Sequence, residues 1–177
     1  HPIPASFEAQ AIASGLSSAR TLAFPSMVIQ GARNQLAEVK GVSAGYPLRG
    51  ELNLSQVLFG PVETARSGPQ PGTAWADARL MQALGLKTGE VIELGQARLT
   101  LAAVIAKEPD RAGDFFNIAP RLMLHVDDIA ATSLIQPGSR VGYRLLIAGE
   151  DKALSAYRKW AETRLARGER IEGVRDA

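Results

Sequence analysis

Residues Pro71–Arg111 read PGTAWADARLMQALGLKTGEVIELGQARLTLAAVIAKEPDR. The pattern predicts strand, short helix, tight turn, strand, turn and strand. Thr73 to Ala76 is a short apolar run, and Asp77 has the side chain wanted at a helix N-cap before Ala78 to Leu84. Gly85 stands where a left-handed C′ residue ends such a helix, and Leu86 can fold back on Met81. Lys87-Thr88-Gly89-Glu90 is a turn, and Gly95-Gln96 joins Val91–Leu94 to a second strand, Ala97–Lys107, as a hairpin. In that strand Leu99, Leu101 and Ala103 alternate with Arg98, Thr100 and Ala102, and Ala102 to Ala106 is continuously small and apolar. One face is therefore expected in a core, with the far end covered on both sides. The stretch carries no catalytic constellation, which favours a protein that holds, docks or transmits.

The flanks supply the other elements. Before the stretch, Pro4 opens a helix that ends at Gly15, with Phe7 and Ala11 on its apolar stripe. Ser17 to Gln30 is β-like, and Pro25 in its middle marks an edge or a bulge. A hairpin loop leads to the returning strand Gln35–Val42. Glu51 to Phe59 is weakly patterned, and Gly60–Gly72, rich in proline and glycine, reads as a linker. After the stretch, Arg121–Val126 is a strand and Asp127 or Asp128 caps a helical turn. Arg140–Ala148 is a strand, Asp151 caps an amphipathic helix with Leu154, Tyr157, Ala161 and Leu165 at helical spacing, and Arg170–Val174 is a final strand. The order predicts an α+β chain of two lobes: residues 1–59 plus 136–177 as a mixed α/β lobe, 60–72 as linker, and 73–135 as an inserted β-rich lobe.

Bulk composition excludes several classes of function. The chain has 177 residues, 46% hydrophobic and 21% charged, as a folded chain should be. Its 20 Lys and Arg are spread among 18 Asp and Glu, so no concentrated cationic patch for nucleic acid is expected. The absence of cysteine removes disulfides, thiolate metal sites and cysteine nucleophiles, and fits either cytosol or periplasm. No apolar run reaches the roughly 18 to 20 residues of a spanning helix. His1 in place of an initiator methionine predicts a segment of a longer protein.

Each candidate for chemistry has a structural reading beside it. His125, with Asp127 and Asp128 close by, suggests a triad or a metal, but a metal needs further ligands and His125 fits a solvent-side or partly buried strand position. Asp110 and Asp114 with Asp127 and Asp128 are carboxylates in a loop and at helix caps rather than an evident acid–base pair. No nucleotide-binding glycine motif and no serine elbow is present, so no cofactor and no catalytic residue is expected. Arg111 with the pair Phe115-Phe116 is the candidate partner contact, for protein or lipid; the same aromatics can instead tuck beneath their loop. The cations Arg158, Lys159, Arg164 and Arg167 are interrupted by Glu162 and Glu169, as on a solvated helix face.

FPSMV at Phe24–Val28, QLAEVKGVSAGYPLRGEL at Gln35–Leu52, ALGLKTGEVIELGQARLTLAAVIAKEPDR with the following FF and APRLM, and QPGSRVGYRLLIAG at Gln136–Gly149 together carry a resemblance. The chain resembles, over nearly its whole length, the extracytoplasmic domain of FtsX-like, MacB-like ABC transporter permeases, in the YbbP-type subgroup. The resemblance implies a non-enzymatic periplasmic core domain with a porter-like lobe and an inserted β-rich lobe, looped out between membrane helices. It also implies an ABC ATPase subunit as partner and ATP-driven motion transmitted to an envelope substrate such as a lipid or lipoprotein. It supplies no ligand residues. A free-standing small β-barrel binding module, with a ligand pocket in Thr73–Leu134, is the alternative expectation; a lipid hydrolase ranks below both.

Overall fold

In chain order the elements are α1 (Ala5–Ala13), β1 (Ser17–Gln30), β2 (Arg33–Val42), β3 (Leu52–Ser55), β4 (Val62–Ala65), β5 (Thr73–Asp77), α2 (Ala78–Leu84), β6 (Val91–Leu94), β7 (Ala97–Lys107), β8 (Arg121–His125), a 3-10 turn (Val126–Asp128), α3 (Ile129–Thr132), β9 (Gly142–Ala148) and α4 (Asp151–Glu162). They come from a computed structural model that describes residues 1–109 and 119–173.

The central stretch folds as its spacing requires. Asp77 Oδ1 accepts the Leu80 N–H at 3.0 Å, which satisfies one of the free donors at the start of α2. Gly85 is left-handed at φ 61, and Leu86 N–H donates to Met81 O at 2.8 Å, the six-to-one bond of a Schellman end. Glu90 N–H closes the next turn on Lys87 O at 3.1 Å. β6 and β7 then pair in register from Leu94↔Ala97 to Val91↔Thr100.

Pairing between distant strands makes the larger architecture. β7 pairs with β5 in parallel, β5 with β8 antiparallel, β8 with β2 in parallel, and β2 with β1 antiparallel. β1 then pairs with β6 and β6 with β7, so among the described residues these six strands follow one another in a closed ring. Closure leaves no sheet edge around the ring. β3 and β4 extend from the side of β7, and β9 pairs with β1.

Two apolar clusters fill the two faces. Inside the ring lie Val28, Val39, Ala74, Ala76, Ile92, Leu94, Leu99, Leu101, Leu122 and Leu124, closed at one end by Leu80, Met81 and Leu84 of α2. Outside, Trp75, Met123, Val42, Ala103 and Ile105 are covered by Tyr46 and Leu52. β7 serves both clusters because its register against β5 shifts between Ala74↔Leu101 and Trp75↔Ala103. The extra residue inverts the alternation, so Leu99 and Leu101 point in while Ala103 and Ile105 point out.

β1 is the strand that both parts of the molecule share. Its first half, Ser17 to Ala23, pairs with β9, and near its end Val28 and Ile29 pair with β6. Pro25 sits between these two partners. Glu38, its opposite in β2, sends its N–H away from β1 to Pro120 O at 2.8 Å. Pro25 therefore occupies a non-hydrogen-bonded pair, and the N–H it lacks would have pointed into the gap between β9 and β6. On the β9 side, α1 and α4 complete the smaller, mixed part of this two-lobed α+β fold, with Phe7 and Ala11 of α1 and Ala161 of α4 buried.

Three local expectations are corrected. The passage 60–72 holds β4, a short strand paired to β3 from Leu52↔Ala65 to Ser55↔Val62. Asp151 does not cap α4: the N-cap residue is Glu150, without a side-chain hydrogen bond, and Asp151 lies in the first turn, where its charge suits the helix dipole. Residues 170–173 form no strand, since no neighbouring strand offers them a ladder; Arg170 instead pairs with Glu172 at 2.7 Å.

Candidate functional site

The most concentrated chemistry among the described residues is a buried charge cluster that the sequence pattern did not reveal. Lys40 on β2, Glu108 just beyond β7 and Arg121 at the start of β8 converge at one end of the outer apolar cluster. Glu108 Oε2 accepts from Lys40 Nζ at 2.9 Å and Glu108 Oε1 from Arg121 Nε at 2.9 Å. The Lys40 and Arg121 side chains are each 7% exposed and the Glu108 side chain 2%. Lys40 also donates to the Tyr46 hydroxyl at 3.0 Å and lies 4.8 Å from the centre of its ring. Arg121 Nη1 is buried and has no hydrogen-bond partner among the described residues. A carboxylate with both oxygens engaged by buried cations suits a structural anchor. Glu108 stands two residues beyond Ala106, where the apolar run of β7 ends, and that placement was the one signal available.

The residues marked for chemistry by the sequence are scattered. His125 Nδ1 accepts the Asp127 N–H at 3.0 Å, so the imidazole caps the 3-10 turn. Asp128 Oδ2 accepts from Gly72 N–H at 2.7 Å and ties that turn to the residue before β5. Asp77 is occupied as the α2 cap. No three His, Asp or Glu among the described residues are grouped to hold a metal. Arg111, Phe115 and Phe116, the expected partner contact, lie outside the described residues, as do Asp110 and Asp114.

Two surfaces stand out besides the cluster. At the turn between β3 and β4, Val57, Phe59 and Val62 are exposed, Phe59 at 79%. The turn is built to show them: Gly60 N–H donates to Val57 O at 3.0 Å, and Phe59 is held at φ 60, a costly conformation for a bulky side chain. The second surface is the seam of α1 and α4. Trp160 meets Phe7 edge-on with ring centres 5.5 Å apart, Tyr157 OH donates to Phe7 O at 2.9 Å, and Arg164 lies 4.5 Å over the Trp160 ring. Burial, and then the Glu8 carboxylate, push the Tyr157 phenol above the ordinary tyrosine range.

Two surface hollows among the described residues are small. One of about 160 Å³ is lined by Asp77, Arg79 and Glu108, and one of about 200 Å³ lies between residues 2–5 and Tyr143 to Leu145. Both fall below the few hundred Å³ usual for a small-molecule site. The interior of the ring is filled by leucine, isoleucine and valine, which leaves the ligand pocket expected of a small-barrel binding module without support.

No protein-family model matches the chain. The chain is 36% identical over 174 residues, 97% of its length, to an uncharacterized ABC transporter permease YbbP of Escherichia coli (strain K12), of which it spans 20%. Its fold is that of the periplasmic region of MacB from Actinobacillus actinomycetemcomitans, with a TM-score of 0.53 at 12% identity, over 83% of this chain and 66% of that one. No helix among the described residues is long and apolar enough to cross a membrane.

Proposed function

The chain is a domain of the FtsX-like, MacB-like permease class, and from that premise we propose that it works on the periplasmic side of the bacterial inner membrane as a non-catalytic transmitting element. In this reading an ABC ATPase subunit drives the membrane part of the full-length permease. The domain carries the resulting motion to an envelope substrate, a lipid or lipoprotein, or to a periplasmic partner. The observation that carries the reading is the 36% identity along 97% of the chain to one segment of a permease. The charge cluster agrees with it, since Glu108 is committed to two cations inside the fold. The division into lobes 1–59 plus 136–177 and 73–135, with 60–72 between them, belongs to the same proposal.

The test uses the full-length permease with its ATPase in lipid nanodiscs. The chain has no cysteine, so Val91→Cys and Leu165→Cys, both at exposed positions, place one spin label on each lobe within this segment. A distance distribution that shifts between the nucleotide-free and ATP-trapped states is expected. An unchanged distribution in a complex that hydrolyses ATP overturns the reading. In whole cells, the same cysteines should react with a membrane-impermeant maleimide added from the periplasmic side; protection from it places the domain elsewhere.

A further inference from the structure

α4 is held to the protein differently from the other long elements. β7 is paired on both edges, with β5 and β3 on one stretch and side or another and with β6 along its start, and it buries Leu99, Leu101, Ala103, Val104 and Ile105. α4 buries only Ala161, although its apolar residues Leu154, Tyr157, Trp160 and Ala161 fall on one stripe. Its attachment to α1 is the seam on Phe7: the Tyr157 hydroxyl on Phe7 O and the Trp160 edge on the Phe7 ring. A helix of twelve residues is marginal by itself in water. Its helicity and its docking therefore stand or fall together, which makes it a local opening unit separate from the ring.

Its connections give the opening a consequence. Only Gly149 and Glu150 separate β9 from α4, so displacement of α4 reaches β9 with almost no slack. Among the described residues β9 is paired to β1 alone, from Ser17↔Ala148 to Ala23↔Gly142. α1 is fixed to the same half of β1, where Glu8 accepts from Ser18 Oγ at 2.9 Å and pairs with Arg20 at 3.3 Å. While the seam is closed, α1 and β9 share any load on α4; once it opens, the load falls on the β9–β1 ladder.

We propose that α4 is a clasp that closes on Phe7 through Tyr157 and Trp160 and opens as a unit during the ATP cycle while the ring stays closed. The proposal rests on the transmitting role above and names the joint at which it acts.

Hydrogen exchange on the full-length permease with its ATPase, without nucleotide and with ATP plus orthovanadate, tests it. Amides of 151–162 should exchange faster than those of 97–107, and their protection should change with nucleotide while that of 97–107 does not. Tyr157→Phe and Trp160→Ala should each reduce protection in 151–162 and leave 97–107 unaltered. Equal protection of the two segments, or variants that loosen both alike, overturns the clasp. If nucleotide alters exchange elsewhere in 1–148 but not in 151–162, the clasp is overturned and the transmitting role stands. If no segment responds while ATP is hydrolysed, the transmitting role fails and the clasp with it.

Discussion

Lys40 Nζ lies 2.9 Å from Glu108 Oε2 in the interior, across a sequence separation of 68 residues. The same carboxylate holds Arg121 through its other oxygen, so one acidic side chain fastens β2, the exit of β7 and the entry of β8. β7 and β8 are not neighbours in the ring; β5 runs between them. The Glu108–Arg121 pair thus reaches past the end of β5 and joins the residue after β7 to the first residue of β8.

Removing Glu108 leaves both cations buried with that partner gone. Glu108→Gln should lower unfolding free energy by about 3 to 5 kcal/mol, the range for breaking a buried ion pair from one side. Urea denaturation of the isolated domain measures it. A loss below about 1 kcal/mol, the worth of an exposed pair, would show that water reaches the cluster.

Gly95 and Gly31 are both left-handed, at φ 56 and φ 61, yet they sit in different surroundings. A Cβ on Gly31 would meet nothing, whereas one on Gly95 would strike the Thr132 carbonyl oxygen and the Leu134 side chain. Gly31→Ala should cost about 1 kcal/mol from backbone conformation alone. Gly95→Ala should cost more, because Gln96 N–H also bonds Thr132 O at 2.9 Å and backbone cannot yield there without losing that bond. Denaturation midpoints compare them; equal losses would mean that the 95–96 turn can move away from α3.

Phe59 is an exposed phenylalanine at φ 60. Phe59→Asn removes little packing and places there a residue that tolerates the left-handed region. It should stabilise the domain by about 1 kcal/mol, seen as a rise in Tm. A fall would reveal that the aromatic ring contributes packing that outweighs its backbone strain.

What the sequence made legible was local. The Asp77 cap, the Gly85 stop and the Leu94–Ala97 hairpin each follow from neighbours a few residues apart and appear where spacing put them, and of the run Ala102–Ala106 expected to be buried, Ala103 to Ile105 are, while Ala106 is exposed. The α+β class was legible for the same reason. The pairing of β1 with β6 and of β2 with β8 was not, because strand periodicity says which face is apolar and nothing about which distant strand lies alongside. The charge cluster was hidden likewise: Lys40, Glu108 and Arg121 are ordinary surface residue types until three non-adjacent segments bring them together. Asp151 shows the limit of local signals, since an acidic residue before a helix serves equally as N-cap or in the first turn.

Tyr157 gives α4 a dependence on alkaline pH whose sign can be worked out. Burial and the neighbouring Glu8 carboxylate raise the folded phenol's pKa, while the unfolded chain keeps the ordinary value near 10. Below that value both states hold the proton and the group gives no pH dependence. Above it the unfolded state loses its proton first, so the folded state binds more protons and stability falls as pH rises through the folded pKa. The ionised oxygen would also forfeit the donor of the hydrogen bond to Phe7 O. Wild type should therefore lose stability relative to Tyr157→Phe as pH rises above about 10, a range in which lysine titration affects both proteins alike. Urea denaturation of the two across that range measures the difference. A constant gap at every pH would mean that the phenol is as well solvated in the folded protein as in the unfolded chain, and that the α1–α4 seam stands open to water.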